Sequence, residues 1–465
     1  MVLVAGVDSS TQSVKVVVRD AHTGELVRQG RSPHPDTTEV NPEIWVSALS
    51  AAMSGILDGV TAISIAGQQH GMVVLDEHDQ VIRPALLWND TRSAQDALDL
   101  VDEEGGPEFW ANAVGSVPVA SFTVSKIRWL ARNEPHNAAR VAKLMLPHDY
   151  LTWCLAGQPD EFYTDRGDAS GTGYWSPALG SYQPELVQRA LGHVPQLPKV
   201  LGPSVAAYET SNGVMLGAGT GDNMAAALGL NVQPGDVVVS LGTSGTAFAG
   251  SRIPSADPTG IVAGFADATG NFLPLVCTLN AARILDSTAA MLRVSLERLG
   301  ELALSAKSGA EGLVLIPYFD GERTPNLPDS SGSLHGITRT NFVDANIARA
   351  AVEGMLLGMA EAVEALEQQG VVAQRILIIG GAAANRAVAQ VAATIFAQPV
   401  FIPTPDEYVA LGAAKQAAWC VSQEAAPPTW HTSGQTLAAP VSTQFNAALL
   451  DRYQNYRGAL YDLSR

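Results

Sequence analysis

Apolar and polar positions along the chain mark out strands, turns and helices. "VLVAGVD" and "SVKVVVRD" are apolar runs of strand length separated by the polar turn "SSTQ", and "TGEL" turns the chain again. "PEIWVSALSAAMSGIL" carries apolar residues at helical spacing, with Pro42 placed to open the helix. "TAISIAGQQHGMVVLD" reads as strand, loop, strand. Strands alternating with helices predict a largely buried α/β sheet. From about Phe109 to Gly202 the pattern loosens into turns and aromatics, which we read as an insertion on the first domain near its ligand. "GVMLGAGTGDNMAAALGL" then predicts a short strand, a glycine turn and a helix, and the Pro/Gly link "NVQPGD" places a domain boundary, giving domains 1–232 and 233–465.

Beyond that link, "DVVVSLGTSGTAFAG" repeats the strand, small-residue turn and strand of the N-terminus. The recurrence suggests a duplicated nucleotide-binding core, although any two hairpins share this grammar. "NIARAAVEGMLLGMAEAVEALEQQG" predicts a long amphipathic helix. "RILIIGGAAANRAVAQVAATIFAQPV" predicts a buried strand, a glycine turn and another helix, and "EYVALGAAKQAAWC" one more. The tail from Val421 is rich in Ala, Pro, Ser and Thr and closes with a polar helix from about Gln444.

Composition narrows the class of function. At 465 residues the chain is long enough for two to four domains of roughly 100–200 residues each. A net charge of -18 argues against nucleic acid or an anionic membrane as partner, while leaving room for a small anion held by a few local donors. Cys154, Cys277 and Cys420 form no CxxC pair, so neither a disulfide framework nor a zinc site is expected. Nor do the histidines fall at metal-ligand spacing. No basic leader or apolar run of membrane length is present, and a reducing cytoplasm is the expected compartment.

The chemistry gathers in loops. "GVDSSTQSVK", Gly6 to Lys15, offers backbone N–H groups and the hydroxyls of Ser9, Ser10, Thr11 and Ser13 to phosphate oxygens, and Asp8 could hold Mg²⁺ through water. "LGTSGT", Leu241 to Thr246, is a second, uncharged turn of this kind. "IIGGAAANR", Ile378 to Arg386, lacks the GxGxxG spacing, yet Gly380 and Gly381 admit a flat ligand and Asn385 can bond a purine or ribose. Each of these three is also readable as a plain turn or helix entry. "GQQHGMVVLD" and "RPALLWNDTR" place Gln69, His70, Trp88, Asn89, Asp90 and Arg92 in loops, the mixture of polar groups and a flat ring that a sugar site needs. The charged loops "YTDRGDASGTGYW" and "YFDGERTPNLPDSSG" read equally as solvated surface. "GAGTGDN" is not a P-loop, because Asp222 stands where the phosphate-binding Lys belongs. Asp222 is left as a helix cap, a metal ligand or a base.

In this order the segments resemble the FGGY family of carbohydrate kinases from Val4 to about Cys420. "GVDSSTQSVK" is similar to the family's first phosphate loop, "SLGTSGT" to its second, "GGAAAN" to its adenosine loop and "GAGTGDN" to the segment carrying its catalytic Asp. "GQQHG", "RPALLWNDTR", "YTDRGDASGT" and "GERTP" look most like members acting on D-xylulose. Many members carry Met where Gln69 stands and Lys where His148 stands in "LPHDYL". Glycerol kinases carry Arg-Glu where this chain has Gln-His, which disfavours glycerol.

The resemblance implies an α/β fold of two actin-like (ribonuclease H-like) ATPase domains flanking a cleft, with the sugar on the first domain and ATP·Mg²⁺ mainly on the second. It implies phosphorylation of D-xylulose at its terminal hydroxyl, with Asp222 as general base and Asp8 as the acidic residue near the metal. Gln69, His70, Asn223 and Trp88 are the expected sugar contacts. Thr11, Ser13, Lys15, Gly242 and Thr243 are the expected phosphate-side contacts, and Gly381, Ala382 and Asn385 the adenosine contacts. Expected partners are the sugar and ATP, with a homodimer as the assembly considered. The rival expectations are a kinase of another ketose or polyol such as ribulose, and an actin-like ATPase with no sugar substrate.

Overall fold

The first strands form where the apolar runs predict them. In the computed structural model, which describes residues 1–437 and 443–461, β1 (Leu3–Ser9) is buried along its whole length. It turns through Ser10–Gln12 into β2 (Ser13–Asp20) as an antiparallel hairpin. β3 (Leu26–Pro33), which the turn-rich sequence around it concealed, lies antiparallel to β2 at the sheet's edge with no buried residue. β4 (Val60–Gly67) runs parallel to β1. β5 (Ala206–Glu209), β6 (Met215–Gly217) and β7 (Thr220–Gly221) complete the sheet, in the order β5-β6-β4-β1-β2-β3, with β7 also on β4.

Both faces of this sheet are covered, as its unbroken apolar strands require. On one face lie Trp45 and Leu49, from the helix Pro42–Met53, together with Trp153. That helix starts as its sequence dictates: Asn41 caps it by accepting from the N–H of Glu43, and Pro42 occupies the first turn. The other face is covered by the helix Tyr408–Ser422, whose Ala410, Ala414, Ala417 and Ala418 pack on Val4, Val17 and Ala62. Contact is close enough that a Cβ on Gly6 would lie 2.0 Å from the Ala410 carbonyl oxygen. A single cut after Val232 therefore does not divide the chain. The first compact unit comprises Met1–Val232, Ser251–Pro274 and Asp406–Thr432, and the second Gln233–Gly250, Leu275–Pro405 and Ser433–Arg465. The expected domain 233–465 thus gives up two segments, and the physical reason for the second is the uncovered face of the first sheet.

The second unit repeats the plan. β8 (Asp236–Leu241) and β9 (Gly245–Ala249) form an antiparallel hairpin, and the Leu275–Thr278 part of β10 (Phe272–Thr278) lies antiparallel to β9. β11 (Arg375–Ile379) runs parallel to β8, β12 (Val400–Pro403) parallel to β11, and β13 (Gly434–Leu437) antiparallel to β12. Over six of the second sheet's seven strands, read as β13-β12-β11-β8-β9-β10, the order matches β5-β6-β4-β1-β2-β3, with the same parallel and antiparallel pairings. The long helix is Asp344–Gln368 and the helix after β11 is Arg386–Ile395. The closing helix, Thr443–Tyr461, is less solvated than its polar composition suggests: Leu449 and Tyr453 are buried, and Arg457 pairs with Glu361 at 2.6 Å. Among the described residues no helix is long and apolar enough to cross a membrane.

Candidate active site

In the first unit the loops that follow β1, β4 and β7 leave the sheet at one end, because the register sets Ser9 opposite Gly67 and Gly67 opposite Gly221. These are the carboxyl ends of parallel strands, where open α/β sheets bind ligands. Asp8, Gln69, His70 and Asp222 are gathered there by the sheet itself.

Asp222 begins the helix Asp222–Gly229, and the capping position belongs to Gly221. Its Oδ1 accepts from the backbone N–H of Asn223 at 2.8 Å and from Asn223 Nδ2 at 3.0 Å. The carboxylate is half-buried, yet burial among protein atoms, reinforced by the negative charge of Asp8, pushes its pKa up to about 7. Those two causes outweigh the bonds from Asn223, which act the other way. Asp8 itself is 3 % exposed and raised by burial; Ser10 donates a very short hydrogen bond to it and Lys15 stands 3.7 Å away. Lys15 is held more tightly by Glu407, at 2.6 Å.

Asn223 Nδ2 donates to Gln69 Oε1 at 3.0 Å as well as to Asp222. Both amide protons are thereby used, which leaves the Asn223 oxygen as the side chain's remaining polar atom. The Gln69 amide nitrogen is buried without a partner, a donor free for a hydroxyl. His70 occupies the left-handed region at φ 67, and its ring stacks on Phe122 with centroids 4.8 Å apart. Its Nδ1 lies 2.6 Å from the carbonyl oxygen of Gly171, which fixes that nitrogen as the donor. The backbone carbonyl of His70 accepts from the buried Lys126 at 2.8 Å and from Thr123 at 3.2 Å. Trp88, partly exposed, donates from its indole to Thr11 Oγ1 at 2.8 Å, tying its loop to the turn between β1 and β2. Ser13 is buried at the start of β2. Gln68 escaped the sequence reading altogether; it is 1 % exposed, and neither polar atom of its side chain has a partner.

The second unit presents a corresponding strand end. Ser240 pairs with Ile379, so the turns after β8 and β11 lie side by side. Gly242 and Thr243 sit in the first, with Thr243 exposed. In the second, Gly380 is needed for packing, since a Cβ there would lie 2.6 Å from the Leu241 carbonyl. Gly381 is exposed with nothing near its missing Cβ, which leaves its backbone open, and Ala382 is buried in the short turn behind it. Asn385 has a visible structural job: its Oδ1 caps the helix Arg386–Ile395 by accepting from Ala387 at 2.9 Å, and its Nδ2 donates to the Leu296 carbonyl at 3.0 Å.

The loop "YTDRGDASGTGYW" is not solvated surface. Asp165 and Asp168 are buried there beside the fully buried His148 and Asp149. Local composition could not reveal this, because the groups that enclose the loop come from distant segments.

Residues 3–229 match the N-terminal domain of the FGGY family of carbohydrate kinases and residues 237–421 match its C-terminal domain. The chain belongs to the FGGY family and is a carbohydrate kinase. It is 44 % identical over 459 residues to the xylulose kinase of Streptomyces rubiginosus, covering 94 % of this chain and 92 % of that protein. It is 33 % identical to the xylulose kinase of Escherichia coli, covering 89 % of each. The crystal structure of xylulose kinase from Bifidobacterium adolescentis, 43 % identical, superposes with a TM-score of 0.92 over 98 % of this chain and 99 % of that one.

Proposed function

We propose that this kinase transfers the γ-phosphoryl group of ATP to the terminal hydroxyl of D-xylulose, giving D-xylulose 5-phosphate. The observation that carries the reading is Asp222: a carboxylate near pKa 7, oriented through one oxygen by Asn223, at the sheet end that also holds Gln69 and His70. Its other oxygen remains to aim a hydroxyl and take its proton. A base with a pKa near the working pH suits that transfer. Gly221 holds the capping position, and Asp222 spends only Oδ1 on the first-turn N–H of Asn223. Relatives at 44 % and 33 % identity that are xylulose kinases support the choice of sugar.

Phosphoryl transfer passes through a loose transition state, so the protein's work is to position groups and balance charge. In this reading Gln69 donates to a sugar hydroxyl, the Asn223 oxygen accepts from another, and His70 and Trp88 flank the chain of carbons. Taken unit by unit, the turn Ser10–Ser13 in the first and the turns at Gly242–Thr243 and Gly381–Asn385 in the second each offer N–H groups or open backbone of the kind that binds phosphate or nucleotide. Among the described residues no group of three or more His, Cys, Asp or Glu is arranged to hold a metal. Mg²⁺ commonly takes one or two protein carboxylates and completes its shell with phosphate oxygens and water. Asp8, a buried carboxylate at a strand end, fits that role, and Mg²⁺ bound with ATP would offset the phosphates' charge. Three cysteines without a disulfide among the described residues suit a reducing compartment.

A coupled assay of ADP release across ketopentoses, glycerol and sugar acids tests the acceptor. D-xylulose should give the highest kcat/KM. A preference of more than about tenfold, some 1.4 kcal/mol, for another sugar would overturn the acceptor and leave the kinase class standing.

A further inference from the structure

Behind the turn that delivers Asp222 lies a buried ionic cluster that the reaction as described does not use. His148, on the helix Pro147–Leu155, has no solvent exposure. Its Nε2 lies 3.3 Å from Asp149 Oδ1, 3.5 Å from Asp165 Oδ1 and 3.3 Å from Asp168 Oδ2. Three carboxylates thus share one ring. Asp165 is further committed: it accepts from the N–H groups of Gly167 and Asp168 and, at 2.8 Å, from Thr220 Oγ1. Thr220 stands two residues before Asp222.

His148 also meets that turn directly. A Cβ on Gly219, whose φ is 80, would lie 2.4 Å from His148 Nδ1, and one on Gly67 would lie 3.1 Å from His148 Cβ. The Gly219 carbonyl is held from the other side by Gln416 Nε2 at 2.9 Å. The imidazole is therefore packed against Gly219, and the Asp165–Thr220 bond holds the next residue of the same turn.

We propose that His148 is a positioning residue for phosphoryl transfer: a buried imidazolium, shared by Asp149, Asp165 and Asp168, that fixes the Gly219–Gly221 turn and with it the carboxylate of Asp222. The inference rests on the reading of Asp222 as the base. The charge balance agrees with it. Burial alone would keep the ring neutral, but the surrounding carboxylates, Asp149 foremost, carry its pKa up to about 9. Burial pushes Asp149 up to about 6 and Asp168 well above the usual carboxylate range. The other titratable groups that act on the cluster are Tyr174, toward Asp149 and Asp168, Tyr182, toward Asp149 and Asp165, Tyr208, toward Asp149, Arg166, toward Asp165, and Asp222 itself, toward Asp168. A neutral residue in place of His148 would remove the cation shared by Asp149, Asp165 and Asp168, and breaking a buried ion pair in this way is strongly destabilising.

Two measurements on the full chain test this. Side-chain ¹⁵N NMR of histidine-labelled protein should show one ring still an imidazolium at about pH 8, with its resonance missing from His148→Gln, whereas an unperturbed histidine titrates near 6.5. A His148 resonance that is neutral at about pH 7.5 overturns the proposal, and since this is read on the wild type it holds even where the variant fails to fold. Steady-state kinetics should show His148→Gln losing about 10- to 100-fold in kcat, as small misplacements of a reacting group do, with the KM for ATP little changed. His148→Lys, which restores a cation, should recover most of that loss. Wild-type kcat in His148→Gln, or equal losses in the Gln and Lys variants at native thermal stability, overturns the positioning role. An active Asp222→Asn variant would refute the base without moving the His148 resonance, so the two failures are told apart.

Discussion

Asp222 and Asn385 set out the problem at the scale of single residues, because each begins a helix and each was open to a structural or a chemical reading. For Asp222 the structure gives the cap position to Gly221, while Asp222 Oδ1 accepts from the N–H of Asn223 in the first turn. Asp222→Asn should fold normally and bind D-xylulose, yet lose about 10²–10⁴-fold in kcat; more than about a tenth of wild-type kcat remaining would contradict the base role. Asn385 goes the other way, for its amide visibly caps a helix. Asn385→Ala should lower stability by about 0.5–2 kcal/mol, while Asn385→Asp, which keeps the cap but loses the bond to the Leu296 carbonyl, should fall between it and wild type. We further predict weaker ATP binding by Asn385→Ala in calorimetric titration with unchanged binding of D-xylulose; weaker sugar binding alone would sink the adenosine assignment.

His148 adds a dependence on pH with a definite sign. Its folded pKa, about 9, lies above the unfolded 6.5, so the folded state holds the proton more tightly. The stability this supplies is fully present below about pH 6.5 and is lost as pH rises through about 9. In denaturant titrations the margin of wild type over His148→Gln should narrow across that interval. A margin that stays constant or widens would mean that the ring is neutral when folded.

Elements were legible where their cause is local. The hairpin β1–β2, the helix opened by Pro42 and the strand, glycine turn and helix ending at Gly229 all follow from periodicity and turn residues within one short segment. Partnership between elements was less legible. Nothing in "EYVALGAAKQAAWC" says that this helix covers a sheet built from the first residues of the chain. Gly6 was read as part of a phosphate turn, whereas it lies within β1 and makes room for Ala410 and Ala414. Gly6→Val should therefore destabilise the protein by about 1–3 kcal/mol or more, since the obstacle is backbone, which cannot rotate aside. A variant melting at the wild-type temperature would show that the helix is not seated there in solution. The buried charges at Asp165 and Asp168 were hidden for the same reason: polar residues in a loop look solvated until the segments that enclose them are known.

At the scale of the whole molecule, two sheets that share one order over six strands come from halves that share little sequence, so the recurring hairpin is one piece of a repeated plan. In the proposed function the first copy offers carboxylates and amides to a neutral sugar, and the second offers open turns to a nucleotide. The net charge of -18 does not oppose this, because turns bind phosphate through oriented N–H groups rather than through bulk charge. The most direct measurement is ADP release by the wild-type chain with ATP and Mg²⁺, in the presence and absence of D-xylulose, with the sugar product identified. The account predicts turnover that requires the sugar and yields one D-xylulose 5-phosphate for each ADP. ATP turnover at full rate without sugar, or no product from D-xylulose, would contradict it.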